Sequence, residues 1–266
     1  MRKITKLGVF DSGLGGLTVL NEICKYNHGL DISYFGDTAR VPYGSRTPET
    51  IGRYAEQDVR FLLSRGVEAI VIACGTVSAT CLDRLQSRYR IPIVGVIEPA
   101  SVEAVQVTQT GHIGVLGTKA TIKSNAYADR IRSESPNCCV TGIACPLLVP
   151  LIENGYSPDD PLVEMALDRY LEPVRTSDID TLILGCTHYP FLTQTISHML
   201  PNVRLINIGT VLAKRLSEHF PLTASSEKNL VSYYVSDADT EFQAIANSYL
   251  DAIRAENVQK INIELY

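Results

Sequence analysis

Short, continuous apolar runs alternate along this chain with longer stretches in which apolar residues recur every three or four positions. The runs are Leu7–Phe10, Ile32–Phe35, Ala69–Ala73, Ile93–Val96, Ile113–Leu116, Leu182–Leu184 and Leu205–Ile208. They are rich in Val, Ile and Leu and mostly lack polar alternation, the pattern of parallel strands buried on both faces. Thr47–Arg65 is a representative intervening stretch. Thr47 suits an N-cap, Pro48 the first helical position and Glu49 the positive end of the helix. Ile51, Tyr54, Ala55, Val59 and Leu62 then form one apolar stripe, and Gly66 supplies a stop. Leu17–Lys25 reads the same way, and Cys24 and Cys81 fall within helical patterns. The alternation of strand and helix predicts a doubly wound α/β architecture.

The order of elements is duplicated. Gly8–Gly13 opens one half and Gly114–Lys119 opens another in the same style, and each is followed about 70 residues later by a strand ending in cysteine. Pro99 marks a crossing into the second half. The segment from about Val211, with a strand at Val231–Val235 and a helix at Asp237–Ala255, is expected to return to the first half. This gives a discontinuous first domain, 1–97 with 211–266, and a second domain, 98–210.

Composition narrows the class. With 266 residues, 45% apolar and 20% charged, the chain has the balance of an ordinary globular protein with ample core. A net charge of −5 and the lack of basic blocks speak against nucleic-acid partners. No apolar run reaches the ~18 residues of a membrane span, and no signal region precedes the first strand. Seven cysteines without secretory features argue against a disulfide framework. The expectation is a cytoplasmic protein with reduced thiols.

The candidate chemistry sits at strand ends. Val71–Thr76 and Leu182–His188 each run a strand into a cysteine, Cys74 and Cys186, with Thr76 and Thr187 close by. In open α/β sheets the carboxyl ends of strands face the ligand crevice. Two thiols brought there from two halves would flank a ligand, and facing acid/base groups suit removal of a proton from one face and its return to the other. His188, two residues past Cys186, can shuttle a proton or promote the thiolate. Asp11-Ser12-Gly13-Leu14-Gly15-Gly16, after the first strand, offers a capping carboxylate and helix-start amides for an anion. It is neither the dinucleotide fingerprint nor a phosphate-binding Gly-Lys-Ser/Thr loop. Gly36–Ser45, with Arg40, is a second polar loop beside the same sheet end. Zinc is a rival occupant, since Cys74, Cys186 and His188 could supply three ligands, but no Cys-x-x-Cys exists and no fourth ligand is evident. A thiol redox protein is another rival; it would form a mixed disulfide or a Cys74–Cys186 bridge.

The runs Gly8–Thr18, Tyr34–Gly44, Gly95–Pro99, Cys145–Glu153 and Leu184–Pro190, taken in order, resemble the glutamate racemases of the aspartate/glutamate racemase superfamily. The resemblance implies two similar α/β domains facing each other across a buried site and a possible homodimer. It also implies catalysis with no metal or organic cofactor, and a small acidic substrate whose D-form supplies peptidoglycan. By position, Cys74 and Cys186 become the acid/base thiols. Asp11 pairs with Cys74 for the D-enantiomer, and His188 with Cys186 for the L-enantiomer. Ser12, Gly75, Thr76 and Thr187 would hold the amino and carboxylate groups, and the Tyr43-Gly44 turn the acidic side chain. Glu153, Thr118 and Thr121 would support them.

One position departs from the family pattern. Ala-Cys-Asn-Thr is usual around the first thiol, whereas this chain reads Ala73-Cys74-Gly75-Thr76. Loss of the amide removes one or two hydrogen bonds, so the expectation is weaker binding with the chemistry retained. Aspartate racemisation and non-catalytic binding of acidic amino acids are the alternatives.

Overall fold

A computed structural model describes residues 3–222, 227–237, 242–244, 247 and 250–266. The described strands form two sheets whose ladders are all parallel. The first contains β1 (Lys6–Asp11), β2 (Asp31–Gly36), β3 (Ala69–Ile72), β4 (Ile93–Gly95), β9 (Leu230–Val235) and β10 (Gln259–Lys260), in the order β10-β9-β2-β1-β3-β4. The second contains β5 (His112–Gly117), β6 (Cys139–Ala144), β7 (Thr181–Leu184) and β8 (Arg204–Asn207), in the order β6-β5-β7-β8. The second order repeats β2-β1-β3-β4 element for element. Two similar doubly wound α/β units are the result.

The central strands β1, β3 and β7 are almost wholly buried, which explains their unbroken apolar sequences. Helix α2 (Pro48–Ser64) begins as its sequence predicts: Thr47 Oγ1 accepts from the Thr50 amide at 3.3 Å, and Pro48 fills the first turn. Gly66 takes φ +76° just beyond it, a conformation costly to other residues.

Several boundaries differ from the sequence expectation. Val96 leaves the fourth strand to cap α4 (Ile97–Val107), and Pro99 lies in that helix's first turn, where its missing N–H costs nothing. Ile208 starts α10 (Ile208–His219) instead of ending β8. Strand β6 was not expected: it is a sheet edge, largely exposed and interrupted by Gly142, so its sequence carries no apolar run. The helix expected over Asp237–Ala255 lies partly outside the described residues. The described ones are helical at 242–244 and 247, and irregular from Leu250 to Ala255.

Helix α10 follows β8 of the second sheet yet packs on α1 (Gly16–Tyr26) behind the first. Thr210 Oγ1 donates to Glu22 at 2.6 Å, and Asn27 Nδ2 to the Ala213 carbonyl at 3.0 Å. Among the described residues no helix is long and apolar enough to cross a membrane.

Candidate active site

The ladder registers fix where the two strand-end thiols sit. Phe10 of β1 pairs with Ile72 of β3, and Leu116 of β5 pairs with Leu184 of β7. Cys74 and Cys186 each follow the paired residue by two positions, so they occupy equivalent places on the two sheets. By the same register Ser12 corresponds to Thr118, but Asp11 corresponds to Gly117. The hydroxyl is duplicated and the carboxylate is not.

Around the first thiol, α3 (Gly75–Arg88) starts directly after Cys74. The Cys74 thiol donates to Ser12 Oγ at 3.5 Å. Burial and the adjacent Asp11 charge push this thiol up to about 12, which keeps it protonated. Asp11 is itself fully buried, and its Oδ2 accepts from the Gly13 amide at 3.0 Å. Burial raises the Asp11 carboxyl above its usual range, opposed by the charge of His188, the Gly16 and Gly13 amides and the Thr187 hydroxyl.

Around the second thiol, Cys186 Sγ lies 3.7 Å from His188 Nδ1, and His188 Nε2 lies 2.9 Å from Glu153 Oε1. Burial works against a charged imidazole, but the hydrogen bonds to Cys186 and Glu153 outweigh it and hold His188 well above its ordinary value. The raised imidazole presents a cation beside the second thiol. The two thiols therefore sit in opposed surroundings: a carboxyl and a hydroxyl beside one, a cation beside the other.

The remaining candidates join the two halves. Thr187 Oγ1 donates to Asp11 Oδ1 at 3.2 Å, and Thr18 Oγ1 donates to the Thr187 carbonyl at 2.8 Å. The Thr76, Thr118 and Thr121 hydroxyls form a chain with 3.0 Å steps from the first half to the second. Gly44 abuts Thr118, where an added Cβ would come within 2.5 Å of the Thr118 Cβ. Gly15 fits under Thr187, its hypothetical Cβ 2.5 Å from Oγ1, and Gly75 rests against the Gly185 carbonyl, which a Cβ would overlap. Around the thiols the halves thus touch through glycines, backbone, small hydroxyl residues and the His188 ring.

Tyr43 is turned differently from the rest. Its phenol donates to Asp37 and, at 3.2 Å, to Asp58 Oδ2, leaving only the backbone of the Tyr43-Gly44 turn for a ligand. Arg40, expected as a loop cation, bridges the same two carboxylates: Nε to Asp37 Oδ2 at 2.6 Å and Nη2 to Asp58 Oδ1 at 3.3 Å. The sequence reading missed this cluster. Its signal is Asp58 itself, which falls in the middle of the α2 apolar stripe, three residues from Ala55 and four from Leu62. Gly15 was read only as part of the helix-start loop and Gly185 was given no role; both make contacts between the halves, which the sequence does not mark.

Burial beside Asp37 raises the Asp58 carboxyl well above its usual range. A carboxyl raised on folding binds its proton more tightly in the native state, so it costs stability as pH climbs above the ordinary carboxyl value near 4. Asp58→Asn keeps the acceptor for Tyr43 and removes the charge. Its thermal midpoint should match or exceed the wild type's at pH 8 and lie closer to the wild type's at pH 5; melting curves at both pH values check this.

Two buried thiols in opposed surroundings, one at each sheet's carboxyl end, fit the class of amino-acid racemases, which are isomerases. Residues 19–216 match the Asp/Glu/Hydantoin racemase family, and the chain belongs to it. It is 41% identical over 263 residues to the glutamate racemase of Geobacter metallireducens, covering 97% of each chain. It also resembles two solved glutamate racemases, each 35% identical with 98% of both chains covered. One is an isoform from Bacillus anthracis (TM-score 0.91); the other, from Francisella tularensis, was solved in complex with D-glutamate (TM-score 0.88).

Proposed function

We propose that this protein interconverts L- and D-glutamate by proton transfer between Cys74 and Cys186, with no cofactor. The equivalent ladder positions of the two thiols, on sheets that meet at the site, carry this reading. Residues 1–97 with 211–266 act as one jaw and residues 98–210 as the other.

With L-glutamate bound, the Cys186 thiolate removes the Cα proton and becomes a thiol, with His188 balancing the charge it held. The electron pair left on Cα spreads into the substrate carboxylate. Cys74, kept protonated by its surroundings, donates to the opposite face and ends as the thiolate. D-Glutamate leaves, and the reverse reaction starts from this exchanged state. Each step is general acid or general base catalysis, typically a factor of about 10²–10⁴.

The hard step is charge build-up beside an existing carboxylate. In this reading the amides of the first turn of α3, unpaired within the helix, and the Ser12, Thr76 and Thr187 hydroxyls receive the substrate carboxylate and amino group. Fixed dipoles of this kind in a water-poor site stabilise a developing anion by several kcal/mol. Glu153 holds the imidazole in orientation. The D-glutamate formed serves peptidoglycan synthesis, the role the family resemblance implies.

The test incubates the protein with each enantiomer of glutamate and of aspartate in D₂O, with excess reductant and no added cofactor. Deuterium should enter Cα of glutamate as optical rotation decays. Exchange confined to aspartate would reassign the substrate, and no exchange with either would end the racemase reading.

A further inference from the structure

The loop from β2 to α2 carries the Tyr43-Gly44 turn, and its two parts are held by different means. The start of the loop is tied to residues after β9: the Ala39 amide donates to Ser236 Oγ at 2.8 Å, and Thr38 Oγ1 to the Asp237 carbonyl at 2.5 Å. The turn itself is gripped from α2. Tyr43 is buried, and its phenol donates to Asp37 and, at 3.2 Å, to Asp58 Oδ2. Arg40 completes the grip with each of its three nitrogens engaged. Nε donates to Asp37 Oδ2, Nη2 to Asp58 Oδ1, and Nη1 to Gln57 Oε1 at 2.5 Å. The guanidinium also lies 4.1 Å from the centre of the Tyr54 ring, which packs on the Tyr43 ring at 5.4 Å. The cluster has no donor to spare: Asp37 Oδ1 is buried without a hydrogen-bond partner among the described residues. On its other side the turn meets the second half, where Gly44 abuts Thr118 and Thr118 Oγ1 lies 3.0 Å from Thr76 Oγ1.

We infer that Arg40 and Asp58 are positioning residues, which from behind the Tyr43-Gly44 turn fix the place where the side-chain carboxylate of glutamate is received. This inference rests on the racemase reading above, with that carboxylate at the turn. The Arg40 nitrogens and both Asp58 oxygens are taken up inside the cluster, so the two residues act through Tyr43. The thiols follow β3 and β7, away from this loop. A slackened turn therefore weakens the hold on the substrate side chain and leaves proton transfer alone.

Loss of binding shared by ground and transition states raises KM and spares kcat. Asp58→Ala deletes the acceptor shared by Tyr43 and Arg40, while alanine suits the interior of α2. Asp58→Asn keeps an acceptor oxygen for Tyr43. Arg40→Lys keeps the charge, but an ammonium cannot span two carboxylates as the planar fork does.

The experiment compares wild type, Asp58→Ala, Asp58→Asn and Arg40→Lys. It measures kcat and KM for both enantiomers of glutamate, and the inhibition constant of L-2-aminobutyrate, which has the α-amino and α-carboxylate groups but no side-chain carboxylate. For Asp58→Ala and Arg40→Lys we expect KM to rise about tenfold, the effect of one lost hydrogen bond to a charged group. Turnover should stay within about threefold of wild type. The inhibition constant of 2-aminobutyrate should not move, and Asp58→Asn should recover most of the KM. A KM within about twofold of wild type in either Asp58→Ala or Arg40→Lys overturns the inference. An inhibition constant that rises in step with KM does so too, as does an Asp58→Asn protein no better than Asp58→Ala, since both mark general damage to the site. Should Asp58→Ala not fold, Arg40→Lys with the 2-aminobutyrate comparison decides the matter. A wild type that fails to racemise glutamate would instead sink the parent reading, so the two failures are separable.

Discussion

Cys74→Ala and Cys186→Ala should each lower glutamate racemisation by about 10³–10⁴-fold, and the double variant should fall little further. In the proposed mechanism each thiol is one half of a single transfer: with the acid gone the carbanion would have no donor on its far face, and with the base gone it would never form. Groups that act as a unit lose their effect together, so the single losses do not add. Cys139 supplies the control. It is an exposed thiol on the edge strand β6, and Cys139→Ala should retain wild-type turnover. Polarimetry on the purified proteins, with melting curves to confirm folding, decides the matter. A wild-type rate from either of the first two variants would exclude the two-thiol mechanism.

His188→Asn should reduce turnover about 10²-fold, and the way that loss divides carries information. L- and D-glutamate have equal free energy in an achiral solvent, so the equilibrium constant is one. The ratio kcat/KM must then be the same in both directions for every variant. Loss of the imidazolium beside Cys186 can still act unequally on kcat and KM taken separately. We expect the larger fall in kcat from the L-side, where Cys186 is the base. Glu153→Gln should act on the same group more gently. The Glu153 contact helps hold the imidazole above its ordinary value, so its removal lets His188 lose its proton at lower pH. The alkaline limb of kcat should therefore shift toward neutrality, as a pH–rate profile would show. Stability follows the same sign: the contribution of protonated His188 is complete below the ordinary imidazole value near 6.5 and is lost as pH rises through the raised folded value. A Glu153→Gln profile that overlays the wild type's would remove Glu153 from this role.

Much of this was legible in the sequence because it is local. Buried parallel strands need unbroken apolar runs, and those runs located β1, β3, β5 and β7. The start of α2 was readable from Thr47, Pro48 and Glu49 because capping is settled within one turn. The two thiols stood out because a strand announces its own carboxyl end. Edge strand β6 did not, since an exposed strand has no need of an apolar run. The Asp37, Arg40, Tyr43 and Asp58 cluster depends on a loop folding onto a helix, and only the misplaced carboxylate on α2 hinted at it. The Gly75–Gly185 contact spans 110 residues of sequence, and neither partner marks the other.

The two sulfurs follow equivalent ladder positions on two separate sheets. Under the proposed two-thiol mechanism, the angle between the sheets sets the gap that the proton must cross, so substrate entry and alignment of acid and base would share one coordinate.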